Sequence, residues 1–107
     1  MDCKGTAAEG IGQLTAKADA VAAFLKGLAN THRLLILCAL LERERSVGEL
    51  IATTGIAQTS MSQHLAKLKA EGIVRVRRQH RTLFYAIDHA AARDIMAVLY
   101  GHFCKAV

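Results

Sequence analysis

The fold is decided by one stretch, residues 46–87, which reads SVGELIATTGIAQTSMSQHLAKLKAEGIVRVRRQHRTLFYAI. Ser46 followed three residues later by Glu49 forms a capping box, which predicts the start of a short helix. That helix should end near Thr54-Gly55, because glycine readily adopts the left-handed conformation that follows a helix. A tight turn and a second helix over residues 58–71 come next. Two short helices joined by a turn that contains glycine predict a helix-turn-helix arrangement.

After Gly72 the apolar period changes from that of a helix to that of a strand. Val74 and Val76 alternate with arginines, and residues 82–87 form a second β-rich run. The polar residues 78–81 between the two runs predict the tip of a β-hairpin.

Helical patterns flank this stretch on both sides. Upstream, one helix follows residue 14, and a second begins near Thr31 with an apolar run over residues 34–41 that should be buried on every side. Downstream, residues 88–105 form a last amphipathic helix. The predicted fold class is mainly α, with five helices and a β-hairpin before the last one. Residues 1–14 are interpreted as a flexible N-terminal arm, either loose or a short helix packed late, and residues 15–107 as the folded domain.

Length, charge and cysteine content narrow the functional classes. The 107 residues suffice for one domain and exclude a two-domain enzyme. The formal charge of +5 favours a polyanionic partner, with nucleic acid ahead of an acidic membrane. Three cysteines without a CxxC pair, and a start that lacks a signal-peptide pattern, predict a cytoplasmic protein with reduced thiols. No membrane partner is expected, because no run reaches the ~20 apolar residues that a span requires.

Two separated motifs resemble those of the ArsR/SmtB-type repressors. They are LKGLANTHRLLIL at residues 25–37 and SMSQHLAKLKAEGIV at residues 60–74. The resemblance extends over roughly residues 18–104 and implies a homodimeric winged helix-turn-helix repressor that a ligand or chemical signal releases from DNA. Ala57 departs from the family pattern, which commonly has a capping serine there.

The helix over residues 58–71 has two faces. Met61, Leu65 and Leu68 share the apolar one, so polar side chains occupy the other. An ordinary solvated face would have the same pattern, but the resemblance implies that four of these positions contact DNA: Gln58, Thr59, Ser62 and Gln63. His64, at the edge of the apolar face, is interpreted as a packing or phosphate-binding residue.

The hairpin supplies the second candidate DNA contact. Residues 67–81 contain six lysines or arginines and one acid, Glu71, which favours phosphate binding over a solvated charge cluster. The tip residues Arg78, His80 and Arg81 are the candidates to reach the DNA backbone or the minor groove.

Metal sites known in the family are not conserved here. Residues 46–50 lack the thiols of the family's cysteine pair. In the last helix only Asp88 and Cys104 remain as candidate ligands, because alanine and glycine occupy the other two positions. No metal and no other cofactor are therefore expected.

Two cysteines remain as candidate residues for sensing a chemical signal. Cys38 on the buried helix is either a small core residue or a reactive thiol, and Cys104 lies near the end of the last helix. Their placement resembles that of the thiol-based, persulfide- and redox-sensing branch of the family, the BigR, SqrR and HlyU-type repressors. Cys3 lies outside that pattern and is interpreted as incidental.

The resulting hypothesis is a non-enzymatic repressor of an inverted-repeat operator, released when persulfide, polysulfide or another oxidant modifies Cys38 and Cys104. Apolar residues on the first and last helices exceed what a small domain can hide, which predicts a homodimer. A metal-responsive repressor with a non-standard Cys/His site is the alternative. A small enzyme with a reactive cysteine is disfavoured, because the chain lacks a nucleophile elbow and a glycine-rich phosphate loop.

Overall fold

A computed structural model of the chain describes residues 7–104. It contains five helices and three strands in the order ααβααββα, so the predicted helices and hairpin are confirmed. The elements are α1 (Ala7–Leu28), α2 (Thr31–Glu42), β1 (Arg45–Ser46), α3 (Val47–Thr54), α4 (Gln58–Ala70), β2 (Val74–Gln79), β3 (Thr82–Ile87) and α5 (Ala90–Phe103). No single helix among these is long and apolar enough to cross a membrane, although α1 and α2 would reach that threshold as a bent pair.

The chain divides into two compact units between Asn30 and Thr31. The first contains α1, which is helical from Ala7 and crosses the predicted boundary at residue 14 without a break. Residues 7–14 are therefore the first part of α1. Alanine, glutamate, glutamine and leucine in this segment are good helix formers, which outweigh its two glycines. Residues 1–6, with Cys3, lie outside the described part of the chain.

Helix α2 forms the centre of the second unit. It contacts α3, α4, α5 and β3, and Ile36, Leu37 and Leu40 are almost fully buried. Burying a leucine or isoleucine side chain stabilises a fold by about 1.5–3 kcal/mol, so this helix anchors the elements around it. The prediction that residues 34–41 are buried on every side is therefore only partly correct: Ile36, Leu37 and Leu40 are buried, whereas Leu35 is 44% exposed.

Local capping sets the boundaries of the helix-turn-helix. Ser46 Oγ accepts a hydrogen bond from the Glu49 amide (3.1 Å), and the Glu49 carboxylate accepts one from the Ser46 amide (3.0 Å). Gly55 ends α3 with a φ of 75°, in the region that glycine adopts without steric cost. Ala57, which precedes α4, makes no side-chain capping bond. Helix α4 therefore begins without a side-chain cap.

The three strands form an antiparallel sheet in the order β1-β3-β2. Gln79 pairs with Thr82, so the hairpin turn contains only His80 and Arg81 and begins two residues later than predicted, because Arg78 and Gln79 continue strand β2. Strand β1 pairs with the middle of β3 and was not predicted, because a two-residue strand has no readable alternation. It ties the start of α3 to the hairpin.

Candidate functional site

Helix α4 presents its polar face to solvent. All four predicted DNA-contacting residues, Gln58, Thr59, Ser62 and Gln63, are exposed, whereas Met61, Leu65 and Leu68 are buried. Hydroxyl and amide side chains on an exposed helix can donate to and accept from the edges of bases in a major groove. The geometry is thus compatible with sequence readout by this face.

A groove of about 720 Å³ runs between α4 and the β-hairpin, and we call it the reading groove. Gln58 and Ser62 line it from α4, and Arg81 and Thr82 line it from the hairpin. Four of the predicted DNA contacts, Thr59, Gln63, Arg78 and His80, do not line this groove. Lys69, which belongs to the predicted basic cluster, also lines the groove. Sequence reasoning missed Ser46 and Tyr85, because they lie on β1 and β3 and no local pattern connects them with α4.

Two of the basic residues in the predicted cluster are neutralised within the chain. Arg77 donates from Nη2 to Glu44 Oε1 (2.6 Å) and lies over the Phe84 ring at 4.7 Å. This bond holds the pKa of the Glu44 carboxyl below its usual range. Arg75 pairs with Asp88 at 3.3 Å. The predicted basic cluster therefore carries less uncompensated positive charge than its number of arginines indicates.

The remaining four cations of the cluster form no ion pair with any residue between 7 and 104. They are Lys67, Lys69, Arg78 and Arg81, all of them exposed. Free exposed cations near a groove are suited to phosphate contacts, which supply most of the salt-dependent part of DNA affinity.

His80 has an unusual backbone at the hairpin tip. Its φ is 59°, which makes it the one non-glycine residue with a positive φ in the described part of the chain. Non-glycine residues in the left-handed region cost roughly 1 kcal/mol, and such strain is often found where a side chain must project in a set direction. The imidazole lies exposed at the outer end of the hairpin formed by β2 and β3, which we call the wing.

A second group of residues connects α4 with α2. Arg33 donates from Nε to His64 Nδ1 (3.4 Å), and its guanidinium lies 3.6 Å from the Glu71 carboxylate. The His32 ring meets His64 edge-on, with 5.4 Å between ring centres. Burial, and then the nearby charges of Arg33, His32 and Lys67, lower the pKa of His64. His64 is thus a packing residue that faces α2, in agreement with its exclusion from the base readers.

The two candidate signal cysteines share one cavity, which we call the thiol pocket. It measures about 390 Å³, and it lies between α2, which carries Cys38, and the end of α5, where Cys104 follows the last helical residue. The pKa of Cys38 is raised by burial, then by the negative charge of an ionised Cys104 and by a side-chain hydrogen bond with it. The structure therefore brings together two thiols that are 66 positions apart in the sequence.

The metal-ligating side chains of the described residues do not cluster into a metal site. Among residues 7–104 no group of three or more His, Cys, Asp or Glu side chains could hold a metal ion. Asp88, which the family resemblance identified as a remaining ligand position, is paired with Arg75 instead.

Both helices that were predicted to form a dimer expose large apolar side chains. On α5 Phe103 is 81% exposed and Val98 58%, while Ala92 and Met96 face the core. On α1 Ile11 is 66% exposed and Leu25 47%. Exposed apolar surface of this kind commonly marks a protein–protein interface.

Comparison with known proteins gives one consistent result. Residues 30–76 match the family model described as bacterial regulatory protein, arsR family. The chain is 40% identical over 82 residues to the transcriptional activator HlyU of Vibrio cholerae (77% of this chain, 76% of the relative). It is 42% identical over 88 residues to the biofilm growth-associated repressor of Xylella fastidiosa (82% and 77%).

A solved structure with the same architecture carries the word homodimeric in its description. It is the winged helix-turn-helix DNA-binding domain of a possible ArsR-family transcriptional regulator from Mycobacterium bovis. The two chains superpose with a TM-score of 0.71 at 30% identity, covering 94% of this chain and 89% of the other.

Proposed function

Because the chain belongs to the ArsR family of bacterial regulatory proteins, we propose that it represses transcription from an operator and leaves the DNA when Cys38 and Cys104 become linked. The single observation that supports the proposed linkage of Cys38 and Cys104 is the thiol pocket, in which both cysteines line one cavity. Of the two relatives compared above, one is described as a repressor and the other as an activator. We infer repression, since the relative described as a repressor is matched over the longer segment.

DNA recognition follows from the exposed face of α4 and the wing. Gln58, Thr59, Ser62 and Gln63 read base edges, while Arg78, His80 and Arg81 contact phosphates or the minor groove. Arg81 is the link between the two parts, because it lines the reading groove opposite Gln58 and Ser62. One protomer therefore holds a DNA strand between helix and wing.

The functional unit is a homodimer on an inverted repeat. Exposed apolar residues of α1 and α5 supply the surface, and the Mycobacterium bovis domain is a homodimer. A twofold dimer places its two recognition helices about 34 Å apart, or a multiple of one DNA turn. The operator should accordingly consist of two half-sites with that spacing.

The order of the thiol steps follows first from exposure, because Cys104 is exposed and Cys38 is half-buried. Burial, and then an ionised Cys104, raise the pKa of Cys38 and so oppose its ionisation. Cys104 thus attacks the incoming oxidant first, as the thiolate is the nucleophile. Capping of Cys104 removes its contribution to the raised pKa of Cys38, and the Cys38 thiolate can then resolve the adduct into an intramolecular link.

Linkage affects DNA binding through α2. This helix carries Cys38 at one position and, five residues earlier, Arg33, which contacts His64 of α4 and Glu71 directly after that helix. Tying the end of α5 to α2 shifts the support of the recognition helix and the dimer surface of α5 together. A coupling of only about 1–3 kcal/mol would change affinity roughly 5- to 150-fold.

The experiment compares DNA release by the parent and three cysteine variants. Reduced Cys38→Ser and Cys104→Ser proteins should bind DNA like the parent and stay bound after persulfide treatment. Cys3→Ser is the matched control and should be released like the parent. Normal release of either of the first two variants would contradict the dithiol switch, and release by zinc or cadmium in place of persulfide would indicate a metal-responsive regulator.

A further inference from the structure

Among residues 7–104, no charged residue lines the thiol pocket apart from the thiols themselves once ionised. Thr31 and Tyr100 contribute hydroxyl-bearing side chains, and the other lining residues besides the cysteines are apolar: Leu34, Leu35, Met96, Leu99 and Phe103. The volume of about 390 Å³ falls within the range of small-molecule sites, roughly 300–1,000 Å³. The pocket is therefore larger than two thiols need and is suited to an apolar guest.

We propose that the thiol pocket selects its inducer, and that it prefers neutral organic polysulfides with short hydrocarbon substituents over charged ones. This inference rests on the proposed dithiol switch, because it names the class of compound that reaches the two thiols. The hydrocarbon groups pack against the leucine and phenylalanine side chains while the sulfur chain lies beside Cys104.

Desolvation is the physical basis of the selection. A glutathione trisulfide carries four carboxylates, and none of the described residues that line the pocket offers a cation to pair with them. Moving an unpaired charge out of water costs far more than moving a hydrocarbon group, which gains from the same transfer. Inorganic polysulfide dianions are disfavoured for the same reason.

A dialkyl trisulfide can form a sulfur-inserted link without another oxidant. The Cys104 thiolate attacks the central sulfur of the trisulfide R-S-S-S-R', breaks the bond between that sulfur and the S-R group, forms Cys104-S-S-S-R' and expels RS⁻. The Cys38 thiolate then attacks the same central sulfur, breaks its bond to the S-R' group, forms Cys38-S-S-S-Cys104 and expels R'S⁻. The two outer sulfurs of the product are those of the cysteines. In total two protein thiols and one trisulfide give one protein trisulfide and two small thiols, so both sulfur and hydrogen balance.

The test measures how fast the two thiols are lost. The protein, in a Cys3→Ser background, is treated separately with dipropyl trisulfide, glutathione trisulfide and sodium tetrasulfide, and mass spectrometry follows Cys38 and Cys104. Each rate is divided by the rate of N-acetylcysteine with the same reagent, which removes intrinsic reactivity. We expect the normalised rate with dipropyl trisulfide to exceed that with glutathione trisulfide by about tenfold or more.

A positive charge placed on the rim of the pocket should weaken this preference. Leu35 and Tyr100 line the pocket and are 44% and 47% exposed, so Leu35→Lys and Tyr100→Lys can each add a cation at small cost to the core. Leu83→Lys is the matched control, since Leu83 is 38% exposed and lies on the wing. Both pocket variants should gain severalfold in normalised rate with glutathione trisulfide, and the control should not.

The outcomes separate this inference from the proposed function. Equal normalised rates in the parent would overturn selection by the pocket and leave the dithiol switch intact. A preference that neither pocket variant changes would also overturn it, because the preference would then arise elsewhere. Formation of the Cys38–Cys104 link without release of DNA would instead contradict the proposed function.

Discussion

Replacing Arg81 by alanine should reduce the salt dependence of DNA binding, whereas replacing Arg77 by alanine should leave that dependence nearly unchanged. The two arginines are four positions apart on the same hairpin, but their surroundings differ. Arg81 is exposed, lines the reading groove and has no ion-pair partner among residues 7–104. Arg77 forms two hydrogen bonds to Glu44, from Nη2 (2.6 Å) and from Nε (3.3 Å), so its charge is already compensated.

The size of the effect follows from counterion release. Each phosphate neutralised by a cation contributes about 0.9 to the slope of log affinity against log salt concentration. A homodimer loses two such contacts with Arg81→Ala, so its slope should fall by about 1.8. Between about 50 and about 200 mM salt, the parent should then lose about 12-fold more affinity than the variant does.

Fluorescence anisotropy with a duplex selected for binding from a random pool measures both slopes. Circular dichroism of each variant checks that the fold is retained. Glu44→Gln is an informative companion, because it frees Arg77 and should make the slope steeper. A loss of slope in Arg77→Ala equal to that in Arg81→Ala would refute the reasoning, since Arg77 would then contact phosphate in spite of Glu44.

Three further predictions concern the helix-turn-helix. Ser46→Ala removes the capping box of α3 and should cost about 1 kcal/mol of stability, which lowers Tm by about 4–8 °C in thermal unfolding of a domain this size. Hydrogen bonds from Arg43 and Ser46 lower the pKa of Glu49 to about 2. Because the pKa of Glu49 is lower in the folded state than in the unfolded state, its contribution to stability is complete above the unfolded-state pKa and is lost as the pH falls towards 2. The stability of Glu49→Gln, measured over an acid titration, should therefore lack this pH-dependent contribution. Gln63→Ala should weaken binding to the operator by about 1–3 kcal/mol and barely affect random DNA, so competition assays that show unchanged discrimination would exclude Gln63 from base readout.

The sequence alone predicted the elements whose signals are local. The capping box of Ser46 and Glu49 predicted the start of α3, and the turn at Gly55 predicted its end, because each depends on residues within one or two turns of a helix. The change from helical to alternating periodicity after residue 72 likewise predicted the hairpin. The start of α1 was the exception, since its glycines and weak apolar pattern conceal a helix that begins at Ala7.

The candidate DNA-binding face was partly readable for the same reason. Gln58, Thr59, Ser62 and Gln63 lie on one helix, and a period of 3.6 residues places them opposite the buried Met61. Which cations remain available to DNA was not readable, because Arg77 is compensated by a carboxylate 33 positions away in the sequence.

Only the tertiary structure decided which distant side chains meet. Arg33 reaches His64 across 31 positions, β1 pairs with β3, and Cys38 shares a pocket with Cys104. The family resemblance alone indicated that Cys38 and Cys104 act as a pair. The pocket that they share, with its apolar lining, is visible only in three dimensions. The physical reason is that caps, turns and periodicity depend on neighbouring residues along the chain, whereas ion pairs, short edge strands and cavities depend on how α2 packs against the elements around it.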